Sequence, residues 1–339
     1  MDDFSPSDLK TILHSKRANM YYLEYCRVMQ KDGRVLYLTE SLSSKGNENQ
    51  YFNIPIANTT VVLLGNGTSI TQAAMRMLAQ AGVLVGFSGG GGTPLHMACE
   101  VEWFTPQSEY RPTEYLHGWM QFWFDDDKRL ATAKQFQQAR ITYLQTVWQK
   151  DRDLKGEGFD FNSAQIQTAL DTFHTRTDAA KKQSDLLLTE AQLTKVLYKY
   201  AANNTHAQGF TRQHQPDTNS TSKANDFLNH GNYLAYGLAA SCLWVLGIPH
   251  GFAVMHGKTR RGALVFDVAD LIKDAVVLPW AFVCAKENAT EQEFRQQVLQ
   301  AFTDHKSLDF MFDTVKQVAL QDFSEEQIDE IENNQKGDV

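Results

Sequence analysis

Up to residue 104 the apolar positions come in short clusters separated by turn formers. After Thr105-Pro106 they recur every three or four residues. The first pattern predicts strands and the second helices. Residues 20–28 are aromatic and apolar, Lys31-Asp32-Gly33 reads as a turn and residues 34–39 return, which predicts a β-hairpin. Short strands are also predicted over 51–54, 60–64, 83–87 and 95–103. One helix is predicted over 69–81, marked by Ile70, Ala73, Ala74, Met77, Leu78 and Ala81. Helical periodicity then covers 115–124, 128–150, 163–169, 172–202, 226–246, 268–285, 290–305 and 309–320. The polar run 203–222 predicts a mobile loop. The expected fold is α+β: a small N-terminal mainly-β domain (1–105), a larger all-α domain (106–325) and an acidic tail (326–339).

Composition narrows the class. With 42% hydrophobic and 21% charged residues the chain is that of a folded soluble protein. No apolar run reaches the roughly 20 residues of a membrane-spanning helix. The first residues, MDDFSPSDLK, carry acids where an export signal carries bases, so a cytoplasmic protein without membrane partners is expected. Cys26, Cys99, Cys242 and Cys284 lie far apart and read as reduced thiols. The net charge of −8 argues against a general nucleic-acid coat and leaves room only for a local basic surface. Six acids and no base lie between Gln321 and Asn334, which marks a solvated terminus.

Two glycine-rich stretches lack phosphate-binding chemistry. Gly65-Asn66-Gly67-Thr68 and the run at 89–92 have neither the following Lys-Ser/Thr of a P-loop nor the dinucleotide spacing. The first reads as a turn whose Thr68 or Ser69 caps the next helix, the second as a flexible strand exit. The stretch 247–270, GIPHGFAVMHGKTRRGALVFDVAD, carries more chemistry. Glycines at 247, 251 and 257 predict irregular backbone around His250 and His256. Asp267 and Asp270 stand three apart at the start of an apolar helix, on one face. Spacing leaves two readings: an N-cap with a first-turn acid, or a carboxylate pair with a cation between them. Glu190 lies in a helix amid Leu187, Leu188, Ala191, Val196 and Leu197. One imidazole with three carboxylates would suit Mn²⁺ or Mg²⁺ and not structural Zn²⁺. Spacing alone does not assemble these four residues.

The segment GFAVMHGKTRRGALVFDVADLIKDAVVLPWAFVCA resembles the C-terminal signature of the CRISPR-associated integrase, the nuclease of spacer acquisition: a Gly-Phe and His segment, then an Asp-x-x-Asp/Glu helix. LGNGTSITQAAMRMLAQAGVLVGFSGGGG is similar to the family's strand, Gly-Thr-Ser turn, helix and Gly-ended strand. DFLNHGNYLAYGLAASCLWVLGIPHGF is similar to its small-residue helix before the active-site loop. The three segments stand in the family's order, and the whole looks like the type I-F (Ypest) branch.

The resemblance implies a β domain used for dimerisation, a catalytic α domain and a metal-dependent DNA endonuclease and integrase. Such an enzyme inserts spacer DNA into a CRISPR array through attack of a 3′-hydroxyl on a repeat phosphodiester. It places the catalytic and metal-binding roles on Glu190, His256, Asp267 and Asp270, with Mg²⁺ or Mn²⁺ as cofactor. Many members have Glu where this chain has Asp270, whose shorter arm suits contact through water. His250 is left a structural role. Lys258, Arg260 and Arg261 are the expected phosphate contacts. Implied partners are spacer-precursor and CRISPR repeat DNA, a second copy of the chain, and a small nuclease-fold adaptation protein fused to the interference helicase-nuclease. Two rival readings are an unrelated metal-dependent nuclease or phosphohydrolase and a non-catalytic helical adaptor.

Overall fold

The computed structural model describes residues 19–43, 46–89, 95–96, 99–100, 102–104, 113–207, 209–212, 223–257 and 262–321. The strand-rich part contains β1 (Asn19–Leu23), β2 (Cys26–Lys31), β3 (Arg34–Ser43), β4 (Gly46–Ile54), β5 (Thr59–Leu64), β6 (Ser69–Ile70), α1 (Gln72–Gln80), β7 (Leu84–Phe87), β8 (Leu95–His96), β9 (Cys99–Glu100) and β10 (Glu102–Phe104). One sheet runs β1-β5-β7-β10, parallel except for β10; a second runs β4-β3-β2-β6. The predicted hairpin is β2 and β3, turning at Asp32-Gly33 with both φ positive. The apolar run 20–28 is not one strand. It breaks at Glu24-Tyr25, where Tyr25 takes φ 49°, so β1 enters one sheet and β2 the other.

Gly65 and Gly67 serve that break. A Cβ on Gly65 would stand 2.6 Å from Tyr22 Oη, and one on Gly67, at φ +66°, would stand 2.6 Å from Tyr25 Cδ1. This is the turn read from the sequence, but the helix cap is Thr71, whose hydroxyl accepts from Ala74 N–H at 3.3 Å. Ser69 is instead paired in β6, and Thr68 donates to the Leu23 carbonyl at 3.0 Å. All six residues of β5 are buried, as a central parallel strand requires. Alternation splits them between two cores. Val62 and Leu64 pack with Leu78 of α1, while Val61 and Leu63 join Met20 and Leu84 in the core of the helical part.

The helices are α2 (Glu114–Trp123), α3 (Asp126–Lys150), α4 (Arg152–Gly156), α5 (Ala164–Ala179), α6 (Gln183–Asn204), α7 (Lys223–Leu246), α8 (Ala263–Ile272), α9 (Leu278–Lys286), α10 (Glu291–Asp304) and α11 (Ser307–Ala319), with one π-helical turn, Lys273–Val277, joining α8 to α9. Asp125 starts α3 by accepting from Asp127 and Lys128 N–H. The sequence placed a break near residue 171; α5 runs through it, since Asp171 is an exposed helical residue. The break falls at 180–182, where Asp185 accepts from Lys181 and Lys182 N–H and opens α6. Asn203 and Asn204 complete α6 rather than starting a loop, and 213–222 lie outside the described residues, as does the acidic tail. Among the described residues no helix is long and apolar enough to cross a membrane.

Candidate metal centre

Three elements bring the polar residues together. α6 supplies Glu190, α8 supplies Asp267 and Asp270, and the connection between α7 and α8 supplies His256. That connection is irregular because Gly247 and Gly257 adopt positive φ. Gly262 precedes the first turn of α8, so Asp267 lies in the helix interior and is not its N-cap. Asp267 is turned onto the preceding loop. Its Oδ2 accepts from Val254 N–H at 2.8 Å and Met255 N–H at 3.2 Å, and its Oδ1 accepts from His256 N–H at 3.0 Å and faces His256 Nδ1 at 2.7 Å. Asp267 thereby fixes both the loop and the imidazole.

With Nδ1 engaged, His256 points Nε2 toward Asp270, 3.8 Å from its Oδ2. One ligand atom each from Glu190, His256 and Asp270 lies within 4.8 Å of the others, so among the described residues these three form a group that could hold a metal ion. The four sequence-predicted residues therefore gather, with Asp267 behind the imidazole and Asp270 in the donor set. His250 stands apart, its carbonyl accepting from Leu264 N–H at 2.9 Å. Lys258, Arg260 and Arg261 lie outside the described residues.

Four surrounding side chains went unread in the sequence. Gln137 and Arg140 of α3 reach Glu190 at 3.5 and 3.2 Å, Asp274 of the π-turn pairs with Arg140, and Lys273 pairs with Asp270. The signal for Arg140 was its place on the apolar stripe of α3 with Phe136, Leu144 and Val147. A cavity of about 380 Å³ opens beside Glu190 and Asp270, walled also by Lys273, Arg212, Tyr233 and Tyr236.

Burial and charge set the protonation states. Burial, then the Asp270 charge, raises Glu190 above the ordinary carboxyl value despite Arg140 and His256. Burial would raise Asp270 too, but Lys273, His256 and Arg140 overcome it and hold its carboxyl low. For His256 burial favours the neutral ring, yet the Asp267 hydrogen bond and the charges of Asp270, Asp267 and Glu190 prevail, moving the pKa from 6.5 to about 9. Among the described residues, Asp270 and Asp274 are buried beside Asp267 and the partly buried Glu190, and Arg140 and Lys273 pair with these acids. The donor set, two carboxylates and one oriented imidazole, fits a hard or borderline divalent ion such as Mn²⁺ or Mg²⁺.

The sequence profile of the family described as "CRISPR associated protein Cas1" matches residues 21–311. The chain is 57% identical over 320 residues to a CRISPR-associated endonuclease Cas1 of Pectobacterium atrosepticum, covering 93% of this chain and 96% of that one. It is 56% identical to the same-named protein of Pseudomonas aeruginosa, covering 94% and 98%. Its fold is similar to that of a casposase bound to integration product, with a TM-score of 0.63 at 13% identity over 90% of this chain and 92% of that one. The chain belongs to the Cas1 family.

Proposed function

We propose that this protein is a metal-dependent DNA endonuclease and integrase of CRISPR adaptation, which joins a spacer 3′-hydroxyl to a phosphodiester of the repeat. The observation that carries this reading is the convergence of Glu190, His256 and Asp270 within 4.8 Å, with His256 oriented by Asp267, beside a cavity of about 380 Å³. The names of the curated relatives and the casposase bound to integration product agree with it.

Glu190, His256 and Asp270 would hold the ion, and Asp267 keeps the His256 Nε2 lone pair available by engaging Nδ1. A divalent ion there supplies Lewis-acid polarisation of the scissile phosphate. Lys273 and Arg212 place positive charge on the cavity wall to meet the phosphate backbone, and Tyr233 and Tyr236 offer ring faces to an unpaired base. Lys258, Arg260 and Arg261 extend the same basic character along the chain next to His256. Strand transfer exchanges one phosphodiester for another, so the number of such bonds is unchanged and no nucleotide hydrolysis is required. A second copy of the chain and a small nuclease-fold adaptation protein, fused to the interference helicase-nuclease, are the proposed partners, in the cytoplasm.

The test is incubation of a short duplex bearing free 3′-hydroxyls with a CRISPR repeat plasmid and Mn²⁺ or Mg²⁺. Covalent joining that EDTA abolishes is expected. Hydrolysis without joining would favour a plain nuclease, and neither reaction, with DNA still bound, would favour a non-catalytic adaptor.

A further inference from the structure

Beneath the donor set, α3 presents Gln137 and Arg140 one turn apart, and both reach the same carboxylate. Arg140 Nη1 lies 3.2 Å from Glu190 Oε1, and Gln137 Nε2 lies 3.5 Å from Glu190 Oε2. Arg140 is 3% exposed and its remaining nitrogens are taken. Nε donates to Asp274 Oδ2 at 2.8 Å, while Nη2 donates to Thr194 Oγ1 at 3.0 Å and pairs with Asp274. Thr194 stands one turn beyond Glu190 in α6, and Asp274 stands in the π-turn that follows Asp270. One guanidinium therefore ties α3, α6 and the π-turn to the carboxylate of Glu190.

A glutamate side chain has three rotatable bonds and holds an ion closely only when something fixes its head. The planar fork of arginine does this where a lysine ammonium cannot, because it bonds several acceptors in fixed directions. Asp274 lies four positions after Asp270, about one helical turn on, with Asp270 beside Glu190 of α6 and Asp274 bonded to Arg140 of α3. The π-helical geometry there agrees with the frequency of π-turns at functional sites.

We propose that Arg140, anchored by Asp274 and Thr194, is a positioning residue that fixes the Glu190 carboxylate for binding of the divalent ion. This rests on the reading of Glu190 as a ligand. Arg140 and Asp274 lie outside the donor group and act through Glu190.

Mn²⁺ binding to the full chain, followed by titration calorimetry, tests it in Glu190→Gln, Arg140→Lys, Asp274→Asn and the double variant Arg140→Lys with Glu190→Gln. Arg140→Lys keeps the charge and loses the fork, and thermal melting confirms that each variant is folded. The expected result is about a tenfold or greater loss of Mn²⁺ affinity in Arg140→Lys, a smaller loss in Asp274→Asn, and no further loss in the double variant beyond that of Glu190→Gln. Unchanged affinity in folded Arg140→Lys overturns the proposal, and so does an additive loss in the double variant. If Arg140→Lys fails to fold, Asp274→Asn replaces it in the same cycle and is read in the same way. Unchanged affinity in Glu190→Gln would instead remove Glu190 from the ligands and take the proposal with it, a result distinct from either of the others.

Discussion

The Nδ1 atom of His256 lies 2.7 Å from Oδ1 of Asp267, and this pairing gives the two aspartates of α8 different tasks. Asp267 also takes three backbone N–H groups of residues 254–256, so it organises the loop that carries the imidazole. Asp270, one turn on, is left facing Glu190 and His256.

Substitution should separate those tasks. Asp270→Asn removes an ionised donor and is expected to abolish cleavage and strand transfer in a protein that melts normally. Asp267→Asn keeps the size of the side chain but cannot accept from Nδ1–H and the loop amides equally well. It should weaken Mn²⁺ binding by about 10- to 100-fold and leave residual activity at high Mn²⁺. Full activity of Asp270→Asn at low Mn²⁺ would contradict the division.

His256 gives the metal-free protein a specific pH dependence. Its folded pKa of about 9 lies above 6.5, so its contribution to stability is fully present below about 6.5 and is lost as the pH rises through 9. The melting temperature of the EDTA-treated chain should fall across that window, and less so in His256→Asn. An ion binds the neutral ring, so Mn²⁺ affinity should climb with pH toward 9 with release of a proton, seen as a dependence of binding heat on buffer ionisation. Binding heats that do not vary with buffer would refute this.

Helix α2 meets the end of α11 at Gly118. A Cβ there would stand 1.7 Å from the Ala319 carbonyl oxygen. Alanine is the better helix former by about 1 kcal/mol. The clash outweighs it, and Gly118→Ala is expected to destabilise by about 1–3 kcal/mol, read from denaturant unfolding. A gain in stability would mean that the two helices separate freely.

Lys258, Arg260 and Arg261 give a test in solution. In a chain of net charge −8, DNA affinity must rest on local bases. Replacing all three by alanine should weaken binding and reduce the slope of log affinity against log salt by about 2–3. An unchanged slope would assign them to a solvated loop.

Much of the fold was legible because hydrophobic period follows the local backbone: the β2–β3 hairpin, α1, and helices such as α3 and α7 all register as pattern. The break at Glu24-Tyr25 was not, since apolar residues continue across it and only the packing of Gly65 and Gly67 against Tyr22 and Tyr25 shows the turn. In the site, the Gly-Phe, His and Asp-x-x-Asp residues were legible through resemblance. The roles of Asp267 and Asp270 depend on a loop folding back onto α8, a contact that spacing does not encode. Arg140 interrupts the apolar stripe of α3, but its partners were invisible for the same reason, lying 50 and 134 residues away. The π-turn differs from an α-helix by one added residue and has no apolar signature of its own.

Assembly gives the last prediction. Among the described residues β4 pairs with β3 and ends the second sheet. Tyr51 and Phe52 on β4 are 46% and 42% exposed, and Phe52 stacks on Tyr37 with ring centroids 5.1 Å apart. A terminal strand with exposed aromatic rings is suited to burial against an identical surface, by a two-fold contact that would also fix the distance between two active sites. The full chain is therefore expected to be a dimer at micromolar concentration. A chain beginning near Pro106 should be monomeric and unable to insert both ends of one fragment. Tyr51→Ser with Phe52→Ser should weaken the dimer while leaving Mn²⁺ binding intact, because the substituted strand is not among the elements that form the metal centre. Light scattering that returns the 38.4 kDa monomer mass for the unaltered chain would refute the assignment.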